Sequence, residues 1–99
     1  MKELVLVSGS GRGLGSSIAK SFAANGYKVA VNYFKSEEKA HKLCDELGND
    51  TCAFSADVSN QTEVKKMISD INDKFNQSPS ILVNNAMTEY VFNLSLIHI

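Results

Sequence analysis

Tryptophan is missing from this chain, proline occurs once, and no low-complexity stretch interrupts it, so nothing in its composition marks it as disordered. A basic run is also lacking. Ten Lys and Arg stand against eleven Asp and Glu for a net charge of −1, which excludes the electrostatic footprint of a nucleic-acid or anionic-membrane binder. Long apolar runs are absent too. The apolar stretch near the start stops at Ser8, short of the roughly 7 to 15 residues that the core of a signal peptide needs, so neither secretion nor a membrane span is expected. Cysteine is limited to Cys44 and Cys52, without C-x-x-C spacing, and both are expected to be reduced and mostly buried apolar residues rather than a disulfide, redox pair or metal site.

What the chain does have is glycine in one place. Ser8-Gly9-Ser10-Gly11-Arg12-Gly13-Leu14-Gly15 follows the apolar stretch Leu4-Val5-Leu6-Val7 and opens into Ser17-Ile18-Ala19-Lys20-Ser21-Phe22. This order reads as strand, glycine turn and helix start. Such a turn gathers backbone N–H groups and the positive end of a helix in one small space, where a phosphate can sit. A P-loop is excluded, because the position of its lysine, six after Gly9, is Gly15. The G-x-G-x-x-G spacing fails as well, since from Gly9 and Gly11 it requires glycine where Leu14 stands. The spacing that fits is G-x-x-x-G-x-G at Gly9, Gly13 and Gly15.

Short apolar strands alternate with segments of helical period along the rest of the chain, as a parallel sheet with crossover helices requires. Strands are predicted at about 3–7, 28–33, 51–55 and 80–84. The first helix, about 14–25, presents Leu14, Ile18 and Phe22 and stops at Gly26. Ser36 is expected to cap the second, which turns Ala40, Leu43 and Leu47 inward before Gly48. Ser59 is expected to cap the third, reaching about Asn76 with Val64, Met67, Ile68, Ile71 and Phe75 inward. Right-handed crossovers give an α/β, Rossmann-type doubly wound parallel sheet in the order 3-2-1-4, with a ligand over the carboxyl ends of strands one and four.

The glycine spacing, preceded by the hydroxyl of Ser8, resembles the cofactor loop of the short-chain dehydrogenase/reductase family, T-G-x-x-x-G-x-G. Asp57-Val58 after strand three and Leu82-Val83-Asn84-Asn85-Ala86 closing strand four resemble that family in the same order, from Met1 to about Asn93. The resemblance implies an NAD(P)-binding site lined by Gly9, Ser10, Gly11, Arg12, Gly13, Leu14 and Gly15. It gives Gly9 the tight turn, Gly13 the approach to the pyrophosphate and Gly15 close helix packing. It also implies that Asp57 accepts from the adenine amino group beside the Val58 backbone. Asn85 and Ala86 would lie along the nicotinamide ribose, and Asn84 would steady the sheet.

NAD enzymes place a carboxylate at the end of strand two, which repels a 2′-phosphate. Here that end reads Asn32-Tyr33-Phe34, with Arg12 and Lys35 as nearby cations, so NADP is expected over NAD. The other reading leaves Lys35 in a solvated loop and Arg12 packed over adenine, and Glu37 and Glu38 count against the phosphate. Within the family the motifs look most like β-ketoacyl-(acyl carrier protein) reductases. The implied parent is a cytoplasmic, homo-oligomeric, tetrameric oxidoreductase acting on a carbonyl or acyl-carrier-linked substrate. A non-catalytic NAD(P) sensor is the alternative.

Two departures qualify the resemblance. Met87 replaces the glycine of N-N-A-G, and Tyr27, Tyr33 and Tyr90 have Val31, Glu37 and Leu94 four residues on, so the family's Tyr-x-x-x-Lys pair is not here and no catalytic residue is assigned. His41 falls on a charged helix face and is expected to be solvated. The last six residues, Leu94-Ser95-Leu96-Ile97-His98-Ile99, are the in-frame translation of CTGTCTCTTATACACATC, the end of a transposase-based sequencing adapter. Residues 1–93 are therefore expected to be a truncated, N-terminal half of a Rossmann domain, and 94–99 a scar outside the fold. Such a piece is expected to expose a sheet edge and apolar faces, to be marginally stable alone, and to lack turnover.

Overall fold

Alternation along the first strand sends Leu4 and Leu6 to one side of the sheet and Val5 and Val7 to the other, and all four are fully buried. The computed structural model describes residues 2–9, 13–48 and 50–85. Among the site residues expected from sequence, Ser10, Gly11, Arg12 and Ala86 lie outside these, as do Met87, Tyr90 and residues 94–99.

The elements run β1 (Leu4–Ser8), α1 (Gly13–Ala24), β2 (Lys28–Tyr33), α2 (Glu37–Leu47), β3 (Thr51–Ser55), α3 (Gln61–Phe75) and β4 (Ile81–Asn84). All described strand pairs are parallel, in the order β3-β2-β1-β4, which is the Rossmann-type order expected from the sequence. The register places Leu6 beside Ala30 and Leu82, and Asn32 beside Phe54.

Two apolar layers flank the sheet. Leu4, Leu6 and Ala30 pack with Val64, Met67, Ile68 and Ile71 of α3. Val5, Val7, Val29, Val31 and Tyr33 pack with Ala19 of α1 and with Ala40 and Leu43 of α2. No helix among the described residues is long and apolar enough to cross a membrane.

Three local expectations are corrected. Leu14 is 68% exposed, while Ile18 and Phe22 pack against the sheet as expected, beside the buried Gly15 and Ala19, whose small size lets the helix lie close to it. Ser36 precedes α2, yet its side chain makes no capping bond, because its backbone at φ −96°, ψ 54° is outside the extended region that places a hydroxyl over the first turn. Asn60, not Ser59, caps α3: extended at φ −111°, ψ 109°, it accepts the Glu63 N–H at 3.2 Å. Ser59 is committed to Asp57 instead, with its hydroxyl 2.7 Å from Oδ1.

Candidate functional site

The ends of β2 and β4 meet the turn after β1 at Gly9. Gly9 and Gly13 sit at φ 63° and 61°, a left-handed backbone that costs other residues about 1–2 kcal/mol. A Cβ built on Gly13 meets nothing within 4 Å, so the backbone there faces open space. The first turn of α1 carries no acidic side chain, which leaves its N–H groups and positive dipole end without a carboxylate of its own.

A polar row crosses the sheet just below this turn. Ser8, fully buried, donates to Asn84 Oδ1 at 3.1 Å and accepts the Asn85 N–H at 2.9 Å. Asn85 in turn donates from its side chain to the Gly9 carbonyl at 3.4 Å. On the other side of β1, Asn32 accepts the Gly9 N–H at 3.2 Å. These bonds join the ends of β2, β1 and β4 around Gly9.

Asp57 follows β3 and is held from three directions. Its Oδ1 accepts both the hydroxyl and the N–H of Ser59, at 2.7 and 3.0 Å, and its own N–H donates to Glu63 Oε1 at 3.0 Å. The Ser59 hydroxyl and N–H, aided by the charge of Lys35, keep the carboxyl below its ordinary range, although partial desolvation opposes them. Oδ1 is thus committed within the protein, while no partner among the described residues takes Oδ2, which can accept a donor from a ligand. Val58, the next residue, is half-buried against the α3 layer.

The residues expected at the end of β2 divide between the two faces. Asn32 points toward α3 and is 2% exposed, whereas Tyr33 belongs to the opposite layer, with its ring edge-on to His41 at 5.7 Å. Burial, the charge of Glu37 and, in the other direction, a hydrogen bond with Ser55 leave the Tyr33 hydroxyl with a raised pKa. Phe34 and Lys35 are exposed, and the Lys35 ammonium lies 5.6 Å from the Phe34 ring centre. Beyond them, an open groove between α1 and α2 is lined by Gly13 and by Ser16, Lys20, Lys39, Lys42 and Glu46, and of these only Gly13 was expected from the sequence. The i, i+3 pair Lys39 and Lys42 on α2 was the available signal. His41 is exposed, as expected, and lies 3.9 Å from Glu37. Cys44 and Cys52 are free and half-buried. No cluster that could hold a metal ion occurs among the described residues.

Parallel order, with a glycine turn at the point where strand order reverses and a polar row beneath it, defines a doubly wound α/β protein. The chain belongs to the short chain dehydrogenase family, whose model matches residues 3–96. The 3-oxoacyl-(acyl-carrier-protein) reductase FabG of Staphylococcus aureus is 45% identical over 89 residues, covering 87% of this chain and 36% of the relative. A probable tetrahydroxynaphthalene reductase of Zymoseptoria tritici is 35% identical over 91 residues, covering 89% of this chain and 34% of the relative. The crystal structure of a 3-ketoacyl-(acyl-carrier-protein) reductase from Brucella melitensis complexed with NADH matches with a TM-score of 0.74 at 30% identity, over 81% of this chain and 32% of that one. The chain thus spans about a third of the length of these relatives.

Proposed function

We propose that this chain is the cofactor-binding half of an NADP-dependent oxidoreductase that reduces a carbonyl, a β-ketoacyl thioester or similar, to an alcohol. The observation that carries the reading is the convergence on one edge of the open-faced Gly13 backbone, the carboxylate-free first turn of α1 and the available Oδ2 of Asp57. That donor and acceptor set suits a pyrophosphate at one end and an adenine amino group at the other. When bound, the nicotinamide supplies a hydride. The chain's own part is to bind and orient it: Ser10, Gly11, Arg12, Gly13, Leu14 and Gly15 at the pyrophosphate, Asp57 and Val58 at the adenine, Asn85 and Ala86 at the nicotinamide ribose.

NADP is favoured over NAD by the absence of a carboxylate at the end of β2 and by the exposed Lys35, whose charge reaches Asp57. The names of the relatives point to an acyl-carrier-linked substrate. Residues 1–93 form the native part in this reading, the parent is a cytoplasmic homo-oligomer, and its proton-transfer residues lie outside this chain, which alone has no turnover.

Calorimetric titration of the chain with NADP+ and NAD+ tests the cofactor. Tighter binding of NADP+, lost in Lys35→Glu, supports the reading, and equal affinities overturn the NADP preference. Source DNA read past the Asn93 codon from an adapter-free library tests the rest. A downstream Ser and Tyr-x-x-x-Lys support the reductase, other residues at those positions support a nucleotide sensor, and a native stop after Ile99 overturns the fragment.

A further inference from the structure

The side chain of Asn32 is buried under the site, on the face of β2 that carries Ala30, and is 2% exposed. Its Oδ1 accepts the Gly9 N–H at 3.2 Å. Its Nδ2 faces the carbonyl oxygens of Ala56 at 3.2 Å, Tyr33 at 3.4 Å and Phe54 at 3.5 Å, and the Met67 sulfur at 3.5 Å. Acceptor at one corner and donors at the other match a carboxamide and no other side chain of this size. A carboxylate would turn an oxygen toward three carbonyls, and an aliphatic side chain would leave the Gly9 N–H without this acceptor, although the Tyr33 carbonyl keeps the Ala56 N–H at 3.0 Å.

The partners of Asn32 matter because of where they sit. Gly9 opens the turn that leads into α1, and Ala56 immediately precedes Asp57. One buried amide therefore ties the loop after β1 to the loop after β3, the two places where a dinucleotide would be gripped at its pyrophosphate and its adenine.

We propose that Asn32 is a positioning residue of the dinucleotide site, fixing the glycine turn relative to the Asp57 loop without touching the ligand. The inference rests on the nucleotide-binding reading above. It assigns the end of β2 two separate tasks: Asn32 works inward on the geometry of the loops, and the exposed Lys35 works outward.

The test uses the whole 99-residue chain as wild type, Asn32→Leu and Asn32→Asp, with two readouts: Gly9 amide hydrogen exchange without ligand, and the Kd for NADP+. At pH 8 the Gly9 amide is expected to exchange about tenfold faster or more in Asn32→Leu, which removes its acceptor, and the Kd is expected to rise about tenfold or more relative to wild type in both variants. A buried carboxyl facing carbonyls takes up a proton readily, so in Asn32→Asp the ratio of variant to wild-type Kd is expected to shrink at pH 5.5 as an O–H donor returns. A variant that melts earlier yet keeps Gly9 exchange and Kd within twofold of wild type overturns the proposal, since that is what a purely structural residue would give. Should Asn32→Leu not fold, Asn32→Asp at the two pH values decides alone. If wild type binds no NADP+, the nucleotide reading fails. Gly9 exchange then still tells whether Asn32 holds the turn: unchanged exchange in Asn32→Leu overturns that as well.

Discussion

The hydroxyl of Ser8 accepts the Asn85 N–H at 2.9 Å and donates to Asn84 Oδ1 at 3.1 Å, so a single buried oxygen fastens the end of β4 to the end of β1. Ser8→Ala removes both bonds and leaves the Asn85 N–H without its acceptor, at a cost of about 1–3 kcal/mol. Ser8→Thr keeps the hydroxyl and is expected to lose less. Urea denaturation of the three proteins checks the order wild type, Thr, Ala.

Acid titration follows from Asp57 and Asp50, both held below their ordinary pKa of 3.8, the first by Ser59 and the second by Lys2, which lies 2.6 Å away. A carboxylate with a depressed folded-state pKa contributes stability that is present above its unfolded value and is lost as pH falls through the folded one. Wild type is therefore expected to lose stability below about pH 4 through these groups. Asp57→Asn is expected to be less stable than wild type at pH 7, with the gap closing as pH falls below 3.8. Thermal melts from pH 7 down to pH 3 measure that gap.

Thr51 carries a buried hydroxyl oxygen with no hydrogen-bond partner among the described residues. Thr51→Val keeps the shape and removes a desolvated polar atom at the start of β3, where a β-branched residue suits the strand. The expected outcome is a gain of about 1 kcal/mol in unfolding free energy.

Burial, with smaller contributions from Cys52 and Asp45, pushes the Cys44 thiol up to about 12. The thiolate is the reactive form, so iodoacetamide at pH 8 is expected to modify Cys44 far more slowly in the folded chain than in the denatured one. Peptide mass mapping over time reads both rates.

The strands were the most legible part of this chain. β2 and β3 begin shortly after Gly26 and Gly48, and the parallel order follows from crossover handedness. Helix caps were less so. A capping residue type before a helix looks the same in sequence whether its backbone is extended, as at Asn60, or turned, as at Ser36, and only the extended form aims a side chain at the first turn. Leu14 misled because its apolar character suggested burial, while the small residues Gly15 and Ala19 decide which face of α1 meets the sheet. In the candidate site, the motifs located the glycine turn, Asp57 and Asn85, yet the division of labour at the end of β2 needed three dimensions. Strand alternation does put Asn32 with Ala30 and Tyr33 with Val31, and that period-2 signal separates the inward amide from its neighbours.

The measurement that bears most directly on the account is a 1H–15N spectrum of the labelled 99-residue chain titrated with NADP+. Saturable shifts of the Gly9, Gly13, Val58 and Asn85 amides, with those of the opposite sheet end such as Lys28 and Asn76 unmoved, are the predicted result. Shifts confined to other residues, or no shift at any of those four, would contradict it.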